Sequence, residues 1–365
     1  MLDRFKVPKE DEVKVSETAL RKTVQDIFEK TGLSKEDSQN GTDVLVTADL
    51  RGVETHGVSN MLRIYVQLFE EGELNKAPNI KVVKETPGTA TIDADRALGI
   101  MAGVPAMKTA ISKARNVGVG IVTMFNSGHM GAVGHFSMMA AQEDMVGMCS
   151  VAAGTGILPT FGAEPRLGTN PISIASPSNI EAPILFDAAT SAVAGNKLRL
   201  AARVDATLLP GWVASSDGAP IMEETKIVNR DDYYQLPLGG SREQGSHKGY
   251  GFGLMVEILG SLLSGDNPGM LRDTPPWTPS RTYFAAYNVE AFTDVDIYKK
   301  NMDDMLSTLK NTPPAPGHER VLYPGLSESE EMAKRKKTGI PLHKEVIEWF
   351  SLTTKRLGLE EMELL

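Results

Sequence analysis

Apolar residues at the start of the chain recur with helical spacing. In SETALRKTVQDIFEKTGL, Leu20, Val24, Ile27 and Phe28 fall three and four apart on one face, with Ser16 placed as N-cap and Gly32 as stop. Ser34 followed by Asp37 resembles a capping box and predicts a second helix through Val44, Leu45 and Ala48. A third amphipathic stretch runs from Asn60 to Glu71 and ends near Gly72.

The period then shortens. IKVVKET and TATIDA read as short strands, VPAMKTAISKARN as a helix capped near Gly118, and the β-branched run VGIVTMF as a buried strand. A helix through Met138, Met139 and Gln142 and a strand at MVGMCSVA follow. From Gly154 to Gly240 prolines and glycines are frequent, and apart from the helical AVAGNKLRLAA the segment reads as strands and long loops. GYGFGLMVEILGSLLSG predicts an apolar helix starting near Gly249, and SRTYFAAYNVEAF a strand. In the last helix Pro341 is expected in the first turn, with Val346, Ile347, Trp349, Phe350 and Leu357 as the apolar stripe and Gly358 as stop.

Helices thus lie at both ends and a sheet-rich section between, a mixed α/β (α+β) pattern without repeats. The expected division is a helical segment 1–75 packing with a helical segment 300–365, around a sheet-rich domain 76–299. At 365 residues the chain is long for one core and reads as two or three packed subdomains.

Charge narrows the partners. With 47 acidic and 38 basic residues the formal net charge is -9, which repels nucleic acid and anionic membranes. An anionic substrate would therefore need positive charge gathered locally. The KRKK run, Lys334 to Lys337, follows acidic ESEE and reads as a solvated helix face with i,i+4 pairing. No apolar run approaches the ~20 residues of a membrane span, and MLDRFKVPKEDEVKV lacks the apolar core of a secretion signal. The lone Cys149, in MVGMCSVAAG, reads as a buried small hydrophobe rather than a nucleophile. These features point to the cytoplasm.

The usual dinucleotide fingerprint is missing. GVGIVT carries two glycines that precede their strand, and GHMGAVG spaces them three apart. GYGFG heads an apolar helix, where the glycines serve either phosphate binding at a helix N-terminus or close packing. Of the six histidines only His129 and His135 are near neighbours, at a spacing poor for a metal, so no metal site is expected.

What remains is a series of polar, glycine-flanked segments. DLRGVETHGVSN sets His56 beside Gly57, near Arg51 and Glu54, suited to proton exchange near neutral pH, although on composition alone a structural histidine is slightly the better reading. NSGHMGAVGH follows a buried strand, and RLGTNPISIASP comes next. LFDAATSAVAGNK places Asp187 at the end of an apolar strand, costly without a partner such as a histidine. GSHKGYGFG and RVLYPGLSES complete the series.

In wording and order these segments resemble the type 2 malate/L-lactate dehydrogenase family, which also holds ureidoglycolate, sulfolactate and diketogulonate oxidoreductases and an imine reductase. Its elements D-L-R-G-x-D/E-S/T-H-G, S-x-H-x-G-x-x-G, L-G-T-N-P, D-x-A-T-S-x-x-A-x-G/N-K, K-G-Y-G and a late Y-P-G all have counterparts, from about residue 15 to 358. The resemblance implies a non-Rossmann malate/sulfolactate dehydrogenase-like fold, NAD (or NADP) as cofactor in the central domain, and a homodimer with sites near the subunit interface. It implies His56 as the acid/base that protonates the carbonyl oxygen, with Thr55 and Asp187 as its hydrogen-bonding supports. His129 and Gly131, Ser176 and Pro177, Lys248 and Gly249, and Pro324 and Gly325 would contact cofactor.

A substrate carboxylate calls for a cation, best a bidentate arginine. Many members carry arginine four residues after the histidine; this chain has Asn60 there, with Arg63 a turn further on. Leu326 replaces the glutamate of the late P-G-E. Arg63, Arg51, Arg166 or Lys248 is then expected to supply the charge beside Asn60. The implied activity is hydride transfer between NAD(P) and a small 2-hydroxy acid, malate first. Lactate, sulfolactate, ureidoglycolate and cyclic imines are the alternatives. A catalytically silent cofactor-binding relative and a non-redox lyase are the readings from other classes.

Overall fold

The computed structural model describes residues 3–226, 232–272, 275 and 279–365. The predicted caps set the first helices. Ser16 Oγ accepts from Ala19 N at the head of α1 (Glu17–Thr31), and Gly32 closes it at φ 107°. Ser34 Oγ does the same for α2 (Lys35–Leu50) through Asp37 N. The apolar stripe of α3 (Val58–Glu70) buries Met61, Leu62, Tyr65 and Phe69.

A short strand β1 (Glu12–Val15) precedes these helices. The strands β2 (Lys81–Glu85), β3 (Thr89–Asp93), β4 (Val119–Ser127), β5 (Met145–Ala153), β6 (Ile172–Ser176) and β7 (Ile184–Ala188) follow, interrupted by α4 (Gly99–Val117) and α5 (Gly134–Ala141). Beyond them come α6 (Gly195–Arg203), the small β8 (Val213–Ala214) and β9 (Tyr234–Gln235), α7 (Ser246–Val256), and β10 (Ser280–Asn288). Among the described residues seven strands make one sheet in the order β2-β3-β4-β10-β5-β6-β7. Only β3 and β4 pair in parallel, joined by α4 as a crossover.

The late strand β10 lies between β4 and β5, so the sheet cannot close until most of the chain is made. Its residues are buried from Ser280 to Ala286, and Phe284 meets Phe136 of α5 edge to face. Side chains alternate, so Arg281 and its cross-strand neighbour Ala152 face the other side. There Gly260 packs on both, in a segment that widens from α7 into π-turns (Glu257–Ser261) and closes in a tight 3-10 turn (Leu262–Ser264). Helices therefore cover both faces of the sheet centre.

One apolar core runs through the molecule from Val15 and Leu20 past Phe136, Cys149 and Phe284 to Phe350 and Met362. A smaller cluster joins Phe5 to Leu198, Leu200 and Leu208 around α6. The last helices are α8 (Val295–Lys310), α9 (Leu326–Thr338) and α10 (Lys344–Leu357). The α8 helix runs across residue 300 and lies along the sheet edge, Asp303 accepting amides of Asn179, Ile180 and Glu181.

Two sequence expectations need correction. Pro341 belongs to β11 (Ile340–His343), which pairs with β1 and ties the two ends of the chain together; the helix starts after it with His343 as N-cap. The pairing partner outweighs the favourable N1 position. Within KRKK the lysines are exposed, and the expected i,i+4 pair forms between Glu331 and Arg335 at 2.8 Å. Arg335 itself is buried, donating to Asp49 O and Glu54 Oε1 at 2.7 Å each.

That contact clamps α9 to the segment before His56. Removing one partner of a buried ion pair leaves the other charge uncompensated. Arg335→Leu is expected to lower unfolding free energy by about 3 kcal/mol in urea titration. A combined Glu54→Leu/Arg335→Leu variant should lose less than the two single losses added.

Candidate active site

His56 ends a three-residue turn, Glu54–His56, between α2 and α3. The residue heading α3 is Gly57, which has no side chain to cap it, and Asp49 caps instead: its Oδ2 accepts from Val58 N at 2.8 Å. A Cβ on Gly57 would stand 2.0 Å from Asp49 Oδ1, so only glycine admits the carboxyl. Burial pushes Asp49 up to about 8, against the lowering by the Val58 amide. The aspartate of the DLRG segment is thus a neutral structural group at pH 7.

Above this support the His56 ring stacks on His129, centroids 5.8 Å apart and planes at 7°. His129 comes from the loop after β4. Its Nδ1 accepts from Gly131 N at 3.1 Å and stands 2.6 Å from Tyr65 Oη. An amide only donates, so this nitrogen carries no proton and the neutral ring holds its hydrogen on Nε2. His56 Nδ1 lies 2.9 Å from Thr55 Oγ1. A hydroxyl both donates and accepts, so it accommodates either tautomer. Burial, with Lys197 nearby, holds His56 down to about 4; burial, with His56 and Arg199, holds His129 down to about 3. Both rings are neutral at pH 7, and both keep an edge in contact with solvent.

The third wall is α6, and its cations are what sequence reasoning missed. Asn60 Nδ2 donates to Asn196 O at 3.2 Å, while Arg203 Nη1 donates to Asn60 Oδ1 at 2.8 Å and Nη2 to Ser59 O at 3.1 Å. Lys197, Arg199 and Arg203 all belong to this nine-residue helix. Its signal was present as arginines four apart, directly after GNK.

The expected substrate residues disperse. Asn60 is buried beside Thr55, its Nδ2 3.4 Å from Thr55 O. Arg51 stands in the field of Asp187 and Glu328. Arg63 is drawn to the C-terminal helix, over Trp349 and 3.6 Å from Glu345. Arg166 is exposed and pairs with Glu164, and Lys248 is exposed on the first turn of α7.

Asp187 is not a hydrogen-bond partner of His56. Its Oδ2 accepts from Gly134 N at 2.7 Å, at the start of α5. The carboxyl is solvent-reached yet enclosed by protein on its other sides, and that desolvation pushes it up to about 6, against lowering by the Gly134 amide and Arg51. The helix N-terminus is the partner that makes the carboxylate tolerable.

The expected cofactor residues form three groups. His129 and Gly131 belong to the stacked-histidine loop. Ser176, Pro177, Pro324 and Gly325 meet at the β6–β7 edge: Ser176 pairs with Ile184, and Leu185 N donates to Pro324 O at 3.0 Å. Ser176 Oγ also meets Tyr298 Oη at 2.7 Å. Lys248 and Gly249 lie on α7, which Asn170 ties to the opposite end of β6 through Gly253 O at 3.0 Å. Gly249 packs directly on the Leu238 backbone, the close-packing role open to it from sequence. The five residues of β6 span about 16 Å, the scale of an extended dinucleotide. Lys248 has no ion-pair partner among the described residues and stands on a helix N-terminus, a donor set that fits a diphosphate.

An open depression of about 770 Å³, lined by Glu85, Lys108 and Lys113 among others, lies at the far end of α4 from the histidines. Lys113 is already spent there on Glu85 and Thr86 O, at 2.8 Å each.

Comparison with known proteins bears on the family and the fold. Residues 15–351 match a family model described as malate/L-lactate dehydrogenase. A malate dehydrogenase of Pyrococcus abyssi is 37% identical over 97% of this chain and 98% of its own length. An L-sulfolactate dehydrogenase of Methanocaldococcus jannaschii is 34% identical over 93% and 96%. Among solved structures, malate dehydrogenase from Pyrococcus horikoshii superposes with TM-score 0.88 at 34% identity, covering 98% of each chain. That from Entamoeba histolytica gives 0.90 at 32%, over 96% and 99%.

The buried Asp49 carries a pH signature. Its pKa is about 8 folded against an ordinary value of about 3.9, so the folded state binds the extra proton and stability falls as pH rises between those values. Asp49→Asn mimics the neutral acid and keeps the acceptor for Val58. Its advantage over wild type in urea titration is expected to be about 1–2 kcal/mol at pH 5 and to grow by a few kcal/mol more at pH 8.

Proposed function

The chain belongs to the malate/L-lactate dehydrogenase family and is a hydroxy acid oxidoreductase of the pyridine-nucleotide kind; from that premise we propose that it interconverts malate and oxaloacetate, with His56 as the proton donor and acceptor. The observation that carries this reading is the His56–His129 stack beside the cationic wall of α6. The nicotinamide ring, when bound, supplies or takes the hydride. His129 and Gly131, Ser176 and Pro177, Pro324 and Gly325, and Lys248 with Gly249 are the residues that would hold the dinucleotide. NAD is the proposed form.

The chain's own part is the proton. Carbonyl reduction leaves charge on oxygen, and a neutral imidazole with its hydrogen on Nε2 can only donate a hydrogen bond there. His129 has that fixed form. His56 is the ring whose neighbour, Thr55, tolerates a change of tautomer, so His56 gives the proton in reduction and takes it back in oxidation. A bound substrate carboxylate adds negative charge, which raises His56 from its depressed value toward the working range.

The apolar face of α7 and the turns after it supports the homodimer. Phe252, Met255, Ile258 and Leu262, three or four residues apart, are each about half exposed. A second copy is the proposed cover. The single buried Cys149 suits a reducing cytoplasm.

These readings are tested by kinetics and by the solution mass. His56→Ala is expected to lower kcat for oxaloacetate reduction by ~100-fold or more while cofactor binding survives. Wild-type kcat/KM for reduction should fall about tenfold per pH unit above an apparent pKa below the ordinary imidazole value of about 6.5. Loss confined to His129→Ala would transfer the role to that ring. Faster turnover of pyruvate, sulfopyruvate or a cyclic imine would change the substrate, and a silent nicotinamide absorbance across all of them would remove the redox activity. Light scattering should give twice the 39.5 kDa chain mass, and a Phe252→Asp/Leu262→Asp variant should approach a single one.

A further inference from the structure

We propose that Arg203 is the cation that holds the substrate carboxylate, presented to the His56 site by the side chain of Asn60; this rests on the 2-hydroxy acid reading above. The chain carries -9 overall, so an anion can be held only where cations gather. On α6, Asn196, Arg199 and Arg203 are three and four residues apart and share one face. That face meets the His56 segment, through Asn60 Nδ2 to Asn196 O and Arg203 to Asn60 and Ser59. Arg199 stands close enough to depress His129 and Lys197 to depress His56, so the helix brings its positive charge to the imidazole pair.

Arg203 is the member with fixed aim. A guanidinium has five N–H donors in a rigid fork. One Nη1 hydrogen goes to Asn60 Oδ1 and one Nη2 hydrogen to Ser59 O, while Nε faces Glu345 Oε2 at 3.5 Å. That leaves one further hydrogen on each terminal nitrogen to donate to the oxygens of a carboxylate. Asn60 is itself held, its amide donating to the carbonyls of Asn196 and Thr55. Its Oδ1 therefore points at the guanidinium and at nothing else among the described residues. Position 60 then still delivers a guanidinium beside the histidine, by proxy: Asn60 is a positioning residue, and the charge comes from the next wall. Arg51, Arg63 and Lys248 are not needed for this. Arg51 faces Asp187, Arg63 lies over Trp349, and Lys248 stands on α7.

The test measures kcat and KM for oxaloacetate and for methyl pyruvate, a 2-oxo ester without a carboxylate, plus the dissociation constant of tartronate in the presence of NADH. Arg203→Gln is expected to raise KM for oxaloacetate and the tartronate constant by about 100-fold, with kcat within about threefold and methyl pyruvate turnover unchanged. Arg203→Lys, which keeps the charge but not the fork, should recover part of the loss. An Asn60→Arg/Arg203→Asn exchange should recover more. Unchanged KM and tartronate binding in a folded Arg203→Gln overturns the proposal. So does an equal loss on methyl pyruvate, which would mean a structural tie. If Arg203→Gln does not fold, Arg203→Lys decides: wild-type KM there excludes a bidentate anchor. Failure of wild type on every 2-oxo acid would instead remove the parent reading, and this one with it.

Discussion

A turn of three residues does not hold its own shape. The segment that carries His56 has one backbone hydrogen bond of its own, His56 N to Val53 O at 3.0 Å, and nucleating a turn costs more than one such bond returns. Its geometry is imposed from two sides. Below, Asp49 caps α3 across the bare Gly57. Behind, Arg335 reaches from α9 to Glu54 and to the Asp49 carbonyl. Residues far apart in the chain therefore converge on one turn, and the imidazole, hydrogen-bonded to its neighbour Thr55, is held in place by a protonated carboxyl and a buried ion pair. The N- and C-terminal segments pack together through β1 and β11 for the same end.

The electrostatics of the site follow from its enclosure. Two imidazoles stacked face to face, with cations from α6 around them, cannot both hold protons, so each is kept neutral in the absence of an anion. The hydrogen-bond partners then divide the labour. His129 is fixed by a backbone amide, which never changes role, whereas His56 rests on a hydroxyl, which does. An anionic substrate reverses the local balance of charge, and proton availability becomes coupled to occupancy. An acidic protein gains a site for acids by concentrating its few local cations on one short helix.

Much of this was legible in the sequence where local physics decides. The caps at Ser16, Ser34 and Gly32 and the alternation of strand and helix through the middle need only short-range information, and the structure follows them. The ordered polar segments pointed to the family, and His56, Thr55 and His129 meet in one place. What escaped was tertiary. Pro341 has the right local signal for a helix start and is claimed by β1, which lies more than 300 residues away. Arg335 looks like one charge in a solvated run until Glu54 arrives beside it. Asp187 was expected to support a histidine and instead receives an amide from α5. The cations of α6 were overlooked because a short basic helix among loops reads as surface; only the contact with Asn60 turns it inward.

The most direct test of the central claim is the nitrogen NMR spectrum of the two imidazoles in protein labelled at histidine, with and without NADH and tartronate. In the free protein both rings should be neutral at pH 6, His129 with its hydrogen on Nε2. On forming the ternary complex His56 should take up a proton while His129 keeps its form. A His56 signal that stays neutral and unmoved while His129 becomes the imidazolium would contradict the account.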